Sequence, residues 1–204
     1  MSIKTVPPVS SGLETFDSRF GIPRPYGFVS GLVADFEAIS SVTVGSGGAS
    51  SIQFTSIPAT FAHLQVRGIL RHSSTGAAGG YAGFRFNSDT GSNYGYHALW
   101  GDGSSAYGDG LQSQTTLIVN RCTSSSETAS NFGAYVVDIL DYASTSKNTT
   151  TRALAGYDNN GSGLLYVKSG LWLNTSAITS ITVSPNAGSW VQHSTLALYG
   201  VKAP

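Results

Sequence analysis

Charged residues are scarce in this 204-residue chain: they make up 11% of it, and eleven basic side chains balance eleven acidic ones. A nucleic-acid binder needs a surplus of Lys and Arg to neutralise phosphates, so DNA and RNA are not expected partners. Zero net charge gives a free monomer little colloidal repulsion and suits a chain packed against copies of itself or a larger partner. One cysteine, Cys122, cannot form an internal disulfide and is expected to act as a small apolar filler. No run of apolar residues is long enough for a membrane span, and none follows the first residues as in a secretory leader. No long window shows helical periodicity, and no short repeat recurs.

The patterns that carry catalysis are missing as well. No Gly-X-Ser-X-Gly elbow occurs, and His63, His72, His97 and His193 are far apart in the chain, so each is expected at a surface or rim. Asp138 and Asp141 are separated by an odd spacing that places them on opposite faces of a strand, not together on a sugar. Asp102 and Asp109 read as members of one glycine-rich loop that could offer oxygens to calcium, but no EF-hand spacing accompanies them. The glycine runs lack the lysine of a phosphate loop. No catalytic residue, cofactor or metal ligand is therefore expected, and the protein reads as non-enzymatic.

What is present is β signal. Residues 1–35 hold Pro7, Pro8, Pro23 and Pro25 with scattered apolar side chains, among them Phe16, Phe20, Ile22, Tyr26 and Phe28. Proline removes a backbone donor and resists helix and central strand, so this stretch is expected to be an extended N-terminal arm. The five apolar residues could hold it to a partner or along its own domain. Residues 36–204 are expected to form an all-β, antiparallel, jelly-roll-like β-sandwich of eight to ten short strands. The expected strands are 37–44, 50–56, 63–72, 83–87, 113–121, 132–142, 152–158, 164–174, 178–184 and 191–201. Two show clear alternation. Leu64, Val66 and Leu70 should oppose Gln65, Arg67 and Arg71, and Tyr135, Val137 and Ile139 should oppose Val136, Asp138 and Leu140. Asn160-Gly161 is a strong turn signal.

One stretch stands out: Tyr94, Tyr96, His97, Trp100 and Asp102, with Tyr107 close behind. Aromatic rings beside polar groups can stack on a sugar, anchor a protein interface, or simply fill the core.

Four stretches carry a family resemblance. They are Val42–Pro58, His63–Gly68, Val137–Ala143, and Ser169–Trp172 followed by Ile178–Val183 and Leu196–Lys202. Together they resemble a β-rich domain of tailed-bacteriophage virion proteins, especially those of aquatic, cyanophage-like viruses. The resemblance covers roughly residues 36–202 and brings no catalytic motif with it. It implies a virion structural protein on the particle exterior, made in the host cytoplasm. The expected role is a capsid decoration or cement protein, anchored by its arm and assembled as a homo-oligomer, a trimer first of all. The major capsid protein or tail proteins would be its partners. The alternative is a tail or fibre module that binds a host surface glycan.

Overall fold

The computed structural model describes residues 35–75 and 80–203. Residues 1–34, and with them Phe16, Phe20, Ile22, Tyr26 and Phe28, lie outside the described residues. The described chain contains twelve strands and no helix. They are β1 Phe36–Thr43, β2 Ile52–Phe54, β3 His63–Leu70, β4 Tyr81–Phe86, β5 Tyr94–Gly101 and β6 Ala106–Gln114. After these come β7 Leu117–Arg121, β8 Gly133–Leu140, β9 Thr149–Asp158, β10 Gly163–Trp172, β11 Ile181–Pro185 and β12 Thr195–Val201.

All the ladders are antiparallel. Eight strands form a large sheet in the order β1-β12-β3-β8-β9-β10-β5-β6, and four form a small one in the order β2-β11-β4-β7. The all-β antiparallel sandwich expected from the sequence is the fold observed. The strand count is higher than expected because two strands were hidden. β5 lies in the aromatic stretch read as a site, and β6 in the Gly103–Gln114 stretch read mostly as loop. β6 holds Gly108 and Gly110, and glycine carries low strand propensity. Asp109 therefore sits on a strand and does not share the Asp102 loop.

The core fills the space between the sheets. Ile52, Phe54, Phe84, Phe86, Leu117, Ile181 and Val183 from the small sheet meet Leu64, Val66, Val137, Ile139, Trp172, Leu196 and Leu198 from the large one. Phe86 packs edge-on to Trp172, with ring centroids 5.5 Å apart, and tilts onto Tyr94 at 6.2 Å. Trp172 donates its indole N–H to Asp89 at 2.7 Å, so this buried ring has its polar handle satisfied. The hydrogen bonds that Asp89 accepts, from Asn93 first and then from Trp172, hold its carboxyl below the ordinary value.

Turns close the hairpins as their residues dictate. Asn160 and Gly161 have φ of 57° and 103°, the two left-handed positions of the turn that matches strand twist between β9 and β10. The β5–β6 turn places Gly103 at φ 89°, its first central position, while Asp102 N–H donates to the Ser105 carbonyl at 3.3 Å.

The alternation read in β8 is observed: Tyr135, Val137 and Ile139 are buried, while Val136, Asp138 and Leu140 face outward. In β3 Leu64, Val66 and Leu70 are buried and Arg67 is exposed as expected, while Gln65 on the outer side is covered as well and donates to Asp138; beyond Leu70 the pattern fails. Arg71 and His72 leave the ladder, and bridges to Thr123 and Trp190 pull them inside. Arg71 is buried and donates to the carbonyls of Thr128 and Asn131 at 2.8 Å each and of Glu127 at 3.1 Å. His72 is fully buried, which corrects the expectation of a rim histidine. His63 is half-buried, and His97 and His193 are exposed. His193 precedes β12 and is not part of it.

Candidate functional site

The residues singled out in the aromatic stretch separate onto two faces, because β5 is a strand with period two. Tyr94 and Tyr96 point inward and are buried. The Tyr94 hydroxyl accepts from Phe86 N–H at 3.1 Å and donates to the Asp89 carbonyl at 3.2 Å. Burial raises its pKa to about 12. His97 points to the opposite face and is exposed. Trp100, Tyr107 and Asp102 do come together. Trp100 stacks with Tyr107 at 4.1 Å and with Tyr166 at 5.6 Å, and the Tyr107 hydroxyl donates to Asp102 at 3.3 Å. The backbone N–H groups of Ser104 and Ser105 hold the Asp102 carboxyl at about 2.

Beside this stack an open cleft of about 630 Å³ runs between the β5–β6 and β9–β10 turns, lined by Asp102, Ser104, Glu127, Tyr157, Asn159 and Leu164. Much of its polar equipment serves local structure. Asn159 accepts from Thr128 N–H at 2.8 Å, Asp102 caps its own turn, and the Glu127 carboxylate accepts from the backbone and hydroxyl of Ser124. Among the described residues, no three His, Cys, Asp or Glu side chains gather closely enough to hold a metal ion.

The second candidate is the outer face of the large sheet, the face turned away from the small one. The ladder registers align Leu99 of β5 with Val167 of β10, Val167 with Leu154 of β9, and Leu154 with Val136 of β8. These four form one unbroken apolar row across four strands. Leu99 is 62% exposed, Leu154 52% and Val167 49%, and Leu165 on the same face reaches 60%. A groove of about 460 Å³ runs along this face past Ala134, Val136, Leu154, Gly156 and Leu165. Further along β8 and β9, and across onto β3, the face becomes polar. Arg152 pairs with Asp138 at 2.7 Å, Gln65 donates to the same carboxylate at 2.5 Å, and Arg67 lies over the rings of Phe36 and Tyr199.

Sequence reasoning found the strand that carries this face but not the face itself. Residues 164–174 were expected as a strand with no side assigned. Sequence alone does not say which face of an apolar-rich strand the second sheet covers. The inner face holds the surprise: Lys168 of β10 is 6% exposed. Its ammonium lies 3.9 Å from the centroid of the Tyr96 ring and donates a long bond, 3.4 Å, to the Ile118 carbonyl. Burial lowers its pKa to about 8, against the opposing pull of Asp109.

No protein-family model matches the chain, and neither a curated protein nor a solved structure is significantly similar to it.

Proposed function

We propose that the chain is a structural protein of a tailed-phage particle, placed on the particle surface, with capsid decoration or cementing as its role. The single observation that carries the reading is the outer sheet face. Contiguous exposed apolar surface marks an interaction site, and the row Leu99–Val167–Leu154–Val136 leaves such a surface open. A polar rim of paired charges borders it, as at protein interfaces. The winding fits a jelly-roll-like reading, in which β2, β11, β4 and β7 oppose β3, the β8–β9–β10 meander, β5 and β6. The resemblance of residues 36–202 to phage virion domains supports the same reading, and an anchoring arm at residues 1–35 belongs to it.

The test is to count the chain in purified particles. Decoration of a symmetric shell requires on the order of hundreds of copies, and absence from particles defeats the reading. A second reading, a tail or fibre module that binds host glycan, is favoured by the Trp100–Tyr107–Tyr166 stack beside the turn-lined cleft. It requires at most a few dozen copies and measurable retention on host envelope polysaccharide that Tyr107→Ala abolishes.

A further inference from the structure

We propose that the outer face of the eight-stranded sheet is closed by a second copy of this chain, packed face to face about a two-fold axis. The inference rests on the reading of that face as an assembly surface and names its occupant.

Size is the first argument. Strands about 4.8 Å apart and rising about 3.3 Å per residue make an eight-strand face, seven residues deep, about 38 Å by 23 Å, or about 900 Å². A stable pair buries about 800 Å² on each partner. The bare portion over β10, β5 and β6, continued by Leu154 of β9 and Val136 of β8, supplies the apolar contact. Arg67 of β3 and the Asp138–Arg152 pair of β8 and β9 supply its polar border.

Charge is the second. The outward positions of β10, β5 and β6 include Leu165, Val167, Ser169, Leu171, His97 and Leu99, with no Asp, Glu, Lys or Arg among them. Such a surface selects no charged partner, and two copies meet on it without like-charge repulsion.

Shape is the third. The outward positions of β6 are Ala106, Gly108 and Gly110; the His97 ring lies over Gly110, and Ala106 and Gly108 leave a low shelf beside the ridge of Leu99 and Val167. Gly108 is not required by its own fold: its φ is ordinary, and an added Cβ would meet only the Ala98 carbonyl, at 3.6 Å. Glycine inside a strand weakens it and commonly marks a place where another backbone comes close. Flat sheet faces pack on sheet faces about 10 Å away, and a second copy brings such a face with it.

The test uses the full chain in sedimentation velocity at about 50 µM, with two variants that perturb the face differently. Leu99→Lys/Val167→Lys puts charge on the ridge, and Gly108→Leu fills the shelf. The wild type is expected to sediment as a dimer, and each variant as a monomer with the wild-type circular dichroism spectrum, its dissociation constant raised at least about thirtyfold. A monomeric wild type, or an oligomer that survives both variants, overturns the pairing. If that monomer is nevertheless found in purified particles, the face belongs to another virion protein and the assembly reading stands. If the chain is absent from particles, the assembly reading falls with it.

Discussion

β8 and β10 lie in the same sheet, separated only by β9, yet they distribute polarity in opposite ways. β8 keeps its charge outside: Tyr135, Val137 and Ile139 lie inside, and on the outer side Asp138, paired with Arg152, stands between Val136 and Leu140. β10 inverts part of it. Lys168 is buried against Tyr96, while Leu165, Val167 and Leu171 stand outside. Single exposed leucines need no explanation. A strand that hides its lysine and displays its leucines beside Leu99 and Leu154 does. The comparison separates what folds the domain from what, on the proposed reading, assembles it: the inner face of both strands builds the core, and the outer face of β10 is finished only by a partner.

The contrast predicts a large difference between the two sides of β10. Trp172→Ala removes one of the two fully buried indoles and its hydrogen bond to Asp89, and is expected to cost about 3–5 kcal/mol in denaturant unfolding. Leu165→Ala, on the outer side, is expected to change monomer stability by no more than about 0.5 kcal/mol. Comparable losses would erase the distinction between the faces.

The buried lysine sharpens it. The native pKa of Lys168, about 8, lies below its ordinary 10.5, so the folded protein sheds this proton at lower pH than the unfolded chain does. Its burial cost is therefore present at neutral pH and relieved as pH rises from about 8 toward 10. Lys168→Met is expected to stabilise the fold at pH 7 by on the order of 1–3 kcal/mol and to abolish the rise in melting temperature between pH 8 and 9.5. A destabilised Lys168→Met would show that the cation–π contact with Tyr96 outweighs desolvation.

A smaller effect comes from the buried histidine. Burial lowers the pKa of His72, and the neighbouring Arg71 adds to that while Glu127 opposes it. The unfolded chain takes up this proton as pH falls below about 6.5, before the native state does, so stability drops from there downward. The melting temperature is expected to fall between pH 7 and 5.5. His72→Gln should reduce that fall.

Much of this architecture was legible in the sequence, because half-covered strands alternate. The faces of β3 up to Leu70 and of β8 followed directly from residue order, and Asn160-Gly161 marked its turn. What escaped had non-local causes. Arg71 and His72 continue the alternation of β3, but the 123–131 loop and Trp190 capture them from distant parts of the chain. β5 was obscured by its own aromatics, which looked like a cluster until the pleat sent Tyr94 and Tyr96 inward and His97 outward. β6 was obscured by glycine. The bare face of β10 depends on which side the small sheet covers, and that is a property of topology.

The most direct measurement of the central claim is the melting temperature of the full chain as a function of its own concentration. If the outer face is closed by a second copy, mass action requires the midpoint to rise between about 1 and 100 µM, and Leu99→Lys/Val167→Lys to flatten that rise while keeping the low-concentration midpoint. A midpoint independent of concentration across that range would contradict the account.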